Sequence, residues 1–261
     1  MLATMLLYER LVRVHPTTSE PEPGLGSWTI APDGRTHTWR IAPNASWTDG
    51  NPVIAADFLT GLQAVARSKV AARVNSRFME IEGYRAYVQG KSTEVAGVVI
   101  DATDPKQMTV RLEKSSCPSL VNVFGEAFVL PTHVFGKYVS PGSGDAIDRA
   151  PENDAPQVTN GPFILGEWRR GDELRLVRNP SYWRGAPLLE AYAFREGTAP
   201  PEELRRGAIN FLSVGEPVEI PGSITTYRAP GSGYQFIGWN TRSETAPALR
   251  DRRIRQALAY G

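Results

Sequence analysis

The residues able to carry chemistry are few and scattered. His15, His37 and His133 stand in a loop, a strand and a proline-flanked turn of the 261-residue chain. None has a second ligand beside it at the spacing a bound metal needs. Structural or surface roles are therefore expected for all three, with no metal site and no cofactor. Cys117 is the single cysteine, so no internal disulfide can form. Followed by Pro118, it reads as a small buried filler rather than a reactive nucleophile. Gly90-Lys91-Ser92 matches the end of a phosphate-binding loop, but the position that should hold the first glycine is Arg85, so the match fails. No Gly-x-Ser-x-Gly elbow occurs, and nucleophilic catalysis has no local support. Glu80 and Glu82 are expected to be a solvated pair, and Asn44-Ala45-Ser46 fits a glycosylation sequon.

Binding chemistry is better represented. Trp28, Trp39, Trp47, Trp168, Trp183 and Trp239 are many for this length, and tryptophan either fills cores or lines pockets. Most are expected in the core. Trp239 differs, because Gly238-Trp239-Asn240 closes an apolar strand, where an indole and an amide can face a cleft. Tyr234, Trp239 and Asn240 are the candidate ligand-binding residues, offering stacking and amide hydrogen bonds to a solute. The alternative is that Trp239 is core and Asn240 merely ends the strand.

The elements that must position these residues follow from turn chemistry and periodicity. Spacing in residues 2–14 predicts a short amphipathic helix stopping before His15-Pro16. Residues 28–31 and 37–41 flank Pro32-Asp33-Gly34-Arg35, a hairpin signal. Phe58, Leu62 and Val65 suit a helix over residues 55–67, with Asp57 in its first turn favoured by the helix dipole. Residues 95–100 and 108–112 form a strand pair, and residues 120–124 are helical. Residues 138–159, rich in Pro, Gly, Asp and Ser, read as a crossing between subdomains. A hairpin of residues 163–168 and 173–178, a helix at 201–206, strands at 209–214 and 234–240, and a helix from Asp251 complete the reading.

Lys and Arg number 29 against 28 Asp and Glu, giving a net charge of +1. With no basic block there is no footprint for nucleic acid or for a polybasic membrane contact. Residues 1–7 are too few for a signal core or a membrane span and lack a basic leader, so a targeting segment is not expected within the chain.

Five segments in order resemble the family 5 extracellular solute-binding proteins of ABC importers. They are LYERLV (residues 7–12), PDGRTHTWRIAPNASWTDGNPVIAADF (32–58), VLPTHVF (129–135), TNGPFILGEWRRGDELRLVRNPSYWRG (159–185) and RDRRIRQALAY (250–260). Departures from the family pattern are Ile54 and Ala56 where a capping Thr and an acid are usual, Phe163 for Tyr, and Asn210 for Asp. A weaker cap is expected at Ile54. Ala72-Arg73-Val74-Asn75 also lacks the aromatic that some oligopeptide binders direct at their ligand.

The resemblance implies a mixed α/β, type II periplasmic-binding-protein-like fold, of which this chain would be the first lobe only. Residues 1–158 would form its smaller subdomain and 159–261 the ligand-facing sheet subdomain, with Tyr234, Trp239 and Asn240 near the hinge. It implies a binding protein rather than an enzyme, taking a peptide or other small solute and delivering it to ABC permease subunits. Such a protein would be monomeric at full length and periplasmic or extracellular, lipid-anchored or secreted. The weighed alternatives are a peptidase-like or esterase-like enzyme and a signalling module reusing the binding fold. One wall of a two-walled site loses about half the contacts. Roughly 3 kcal/mol lost already weakens binding more than a hundredfold.

Overall fold

A computed structural model describes residues 2–71, 74–197, 201–213, 225 and 239–260. Helix α1 (Leu2–Leu7) is shorter than the periodicity predicts, because the chain turns extended at β1 (Val12–Val14) and pairs with β2 (Pro21–Pro23). Two β-branched valines favour extended backbone, and this pairing overrides the helical spacing of the residues before it.

Strands β3 (Gly26–Ile30) and β4 (Thr36–Ile41) form the expected hairpin, Trp28 opposite Trp39. Its turn is set by Asp33, whose Oδ1 accepts from the N–H of Arg35 at 2.9 Å and of Thr36 at 3.0 Å. These backbone donors, with the Thr36 hydroxyl, hold the Asp33 carboxyl down at about 2. Gly34 takes the positive φ of 65° that the turn needs.

Helix α2 (Ala55–Arg67) buries Phe58, Gly61 and Leu62, and is followed by two short helices, α3 (Asn75–Phe78) and α4 (Tyr84–Val88). Strands β5 (Val98–Ile100) and β6 (Gln107–Arg111) complete an antiparallel sheet of order β3-β4-β6-β5. A π-helical stretch, Leu120–Phe124, brings Phe124 to 4.6 Å from the Trp39 ring and 5.2 Å from that of His37. Trp39, Phe58, Phe124 and Leu62 are almost completely buried and form the centre of one apolar core. His37 is buried with them, and burial pushes its pKa down, so the neutral ring is the stable form there. Helix α5 (Thr132–Val139) packs on α2.

After α5 the chain runs through turns and two short 3-10 segments to a third sheet of β7 (Phe163–Arg169), β8 (Glu173–Arg178) and β9 (Ala191–Arg195), in order β7-β8-β9. The β7–β8 register shifts at Leu165/Glu167. This sheet shares no strand with the other two among the described residues, so residue 158 lies between sheets. The compact units divide elsewhere, into Met1–Gly197 and Thr198–Gly261. The second unit contains α6 (Pro201–Arg205) and α7 (Arg252–Tyr260).

Three expectations need correction. Residues 209–213 carry no strand. β9 is present where none was expected. Cys117 is exposed rather than a buried filler, because it lies in a surface turn preceding the π-helical stretch.

Candidate functional site

Tyr234 lies outside the described residues, as do residues 234–238 of the expected strand. Trp239 is half-buried and Asn240 is exposed. Both sit in a turn. The Trp239 carbonyl accepts from Thr241 N–H at 3.0 Å, and the Asn240 carbonyl accepts from Ser243 N–H at 3.2 Å. The Asn240 Oδ1 accepts from Arg242 N–H at 3.1 Å, an Asx-type closure that occupies the amide oxygen.

Within Met1–Gly197 the chain is held together by polar groups whose distant partners the sequence did not reveal. Asp57 is almost fully buried and joins two helices to the preceding loop. Its Oδ2 accepts from Trp47 Nε1 at 2.9 Å and from Ile54 N–H at 3.0 Å. Its Oδ1 accepts from the Thr132 N–H at 2.8 Å and from the Thr132 hydroxyl at 2.7 Å. The first turns of α2 and α5 thus share one carboxylate, and the cap expected to be weak at Ile54 is made by Asp57.

A second node joins LYERLV to the segment after β8. Glu9 is buried, its Oε1 accepts from the Tyr182 hydroxyl, and Arg184 Nε stands 3.9 Å from its Oε2. The Glu9 N–H donates to Asn160 Oδ1 at 2.8 Å, and Asn160 and Gly161 N–H groups return to the Leu7 carbonyl. Burial pushes the Glu9 carboxyl up to about 7, against the pull of Arg184 and Arg13. Arg184 also donates to the carbonyls of Pro23 and Gly24, at 2.8 and 2.7 Å.

The histidines behave as scaffold. His133 Nε2 is 2.7 Å from Asp49 Oδ2, tying α5 to the turn before α2 at the surface. No group of three or more metal-ligating side chains occurs among the described residues. No helix among them is long and apolar enough to cross a membrane.

Among the described residues, three antiparallel sheets with helices around one apolar core place the molecule in a recognisable class: a mixed α/β fold of the type II periplasmic binding proteins. A solved oligopeptide-binding protein from Borrelia burgdorferi superposes with a TM-score of 0.60 at 23% identity, covering 74% of this chain and 37% of that one. The profile described as bacterial extracellular solute-binding proteins, family 5 Middle, matches residues 20–261, and the chain belongs to that family. The dipeptide-binding protein DppE of Bacillus subtilis is 30% identical over 175 residues, 63% of this chain and 29% of the relative. The periplasmic oligopeptide-binding protein OppA of Salmonella typhimurium is 28% identical, over 70% of this chain and 32% of the relative. The chain therefore spans about a third of the length of those two relatives.

Proposed function

We propose that the chain is part of the substrate-binding component of an ABC importer, taking up a peptide or other small solute outside the cytoplasm for delivery to membrane permease subunits. The observation that carries this reading is the family match over residues 20–261, among relatives named for dipeptide and oligopeptide binding. The protein acts as a binder and not as an enzyme, as a monomer at full length, without nucleic acid, secreted or held by a lipid anchor. Residues 1–158 serve as the smaller subdomain and 159–261 as the ligand-facing one.

Tyr234, Trp239 and Asn240 supply the stacking surface and the amide. Support comes from the exposed Asn240, whose NH2 is not committed to the turn that engages its oxygen. Calorimetry on the full-length protein, in which both walls of the site are present, with a panel of di- and oligopeptides tests the reading. Binding should be saturable, without turnover, and weakened at least about tenfold in Trp239→Ala and Asn240→Ala, the loss of roughly 1.4 kcal/mol. Peptide binding unchanged in both variants would remove these residues from the site. Hydrolysis of the peptides would replace the binding reading with the enzymatic one.

A further inference from the structure

The failed phosphate-loop match at Gly90-Lys91-Ser92 lies beside a pocket of about 330 Å³ in the first compact unit. The loop after α4 and the loop after α5 form its rims, with Gly90, Ser92 and Thr93 on one and Pro141, Gly142 and Gly144 on the other. Ala66 and Arg67 from the last turn of α2, and Tyr87 and Val88 from α4, complete the lining.

We propose that this pocket binds a phosphate-class oxyanion, with Arg67 as its charged partner. The lining contains one cation and no carboxylate. Arg67 Nε donates to the Tyr87 hydroxyl at 3.0 Å, and its guanidinium lies 5.4 Å from the Tyr87 ring centre. That bond fixes the guanidinium plane and uses one of its five donors, leaving the terminal nitrogens for a ligand. The Tyr87 oxygen, accepting from Arg67, keeps its own proton to donate.

The glycines keep the mouth clear: at Gly90, Gly142 and Gly144 no atom lies within 4 Å of where a Cβ would stand. The Gly90 N–H already donates to the Tyr87 carbonyl at 3.0 Å, so the backbone donors suited to an oxyanion here are those of Gly142 and Gly144, which approach a ligand without intervening side chains. The two acidic residues on the loop after α5 are already engaged, and Glu94 is next to the rim residue Thr93. Asp145 pairs with Lys69 at 2.6 Å and with Arg149 at 2.8 Å, and Asp148 accepts from the Ser68 hydroxyl and the Lys69 N–H. Arg67 has no such partner among the described residues. A partly buried guanidinium bonded only to a neutral phenol favours an anion that takes two of its N–H groups at once.

The pocket lies apart from Trp239 and Asn240 in sequence and in compact unit, so the proposal stands or falls independently of the peptide reading. Free phosphate and a lipid headgroup offer the same chemistry, and titration of the 261-residue chain separates them. One arm uses inorganic phosphate at low ionic strength, followed by calorimetry. The other uses vesicles of phosphatidylcholine with and without phosphatidylglycerol, followed by flotation.

The expected result is saturable binding in one or both arms, weakened at least tenfold in Arg67→Met. The exposed rim variant Thr93→Glu, which sets a carboxylate beside the site without touching the core, should weaken it similarly. Phosphate binding alone assigns a soluble anion, and flotation alone assigns a headgroup. Loss of binding in Thr93→Glu supports the pocket even if Arg67→Met fails to fold. No binding in either arm, or binding that both variants leave unchanged, overturns the proposal.

Discussion

At the scale of single residues, two buried carboxylates hold distant segments together and make opposite demands. Asp57 satisfies four donors, so Asp57→Ala would leave the Trp47 indole, two backbone N–H groups and a hydroxyl without an acceptor. Each buried orphan costs about 1–3 kcal/mol, partly relieved by entering water. A loss of roughly 3 kcal/mol is expected, about 10 °C in the melting midpoint, with Asp57→Asn intermediate because its single oxygen retains half the contacts. Thermal unfolding by circular dichroism measures it, and a shift under about 2 °C would mean the two helix ends are capped by other means.

Glu9 behaves differently because burial raises its carboxyl from 4.5 to about 7. The folded chain keeps the proton through a range where the unfolded chain has lost it. Its contribution to stability is complete below about pH 4.5 and disappears as pH rises to about 7, roughly 3 kcal/mol across the window. Glu9→Gln removes this titration. Urea unfolding at pH 5, 6 and 7 should show wild-type stability falling relative to the variant across the series, and a constant difference would refute the linkage. His37 and the other titrating groups are common to both proteins and cancel in the comparison.

At the scale of elements, α2 shows why a helix can require a residue that weakens it. Gly61 sits in its middle, and a Cβ built there would lie 2.0 Å from the Phe128 carbonyl oxygen. Alanine is worth about 1 kcal/mol more than glycine in a helix interior, so Gly61→Ala would stabilise an unconstrained helix. Here the contact is with backbone, which cannot rotate away, and the variant should instead lose about 2 kcal/mol or more. A raised melting midpoint would show that α2 can move off the 128 segment at little cost.

The same distinction separates what was legible in the sequence from what was not. The β3–β4 hairpin, α2, the β5–β6 pair and the β7–β8 hairpin announce themselves through local devices: Asp33-Gly34, the spacing of Phe58 and Leu62, and Gly171-Asp172. The β1–β2 ladder does not, since its pairing partner is a proline-flanked stretch that reads as loop. β9 follows the turn at Gly185, through Pro187 and the exposed Leu188 and Leu189, but its short run of alternating Ala, Tyr and Phe lacks the β-branched residues that mark a strand. The Asp57 and Glu9 nodes depend on partners 75 and 173 positions away, beyond the reach of any periodicity. For the candidate site, the turn around Trp239 and Asn240 replaces the strand end that apolar pattern suggested, because the amide of Asn240 closes on its own backbone.

At the scale of the whole molecule, the distribution of burial separates the two compact units. Every buried residue among those described lies in Met1–Gly197, from Leu7 to Asn179. In Thr198–Gly261 the described residues are half-buried or exposed, and Phe211, Ile254 and Leu258 are among the exposed apolar side chains. Stability follows apolar burial, so the first unit should supply nearly all of the cooperative transition. A chain ending at Gly197 is expected to unfold cooperatively with a midpoint within about 5 °C of the 261-residue chain, a difference of at most about 2 kcal/mol. Residues 198–261 alone are expected to give no cooperative transition, since none of their described side chains is fully buried. If the shortened chain melts far lower, or without cooperativity, then the two units fold as one and the position of Trp239 and Asn240 is fixed by the first unit rather than by their own turn.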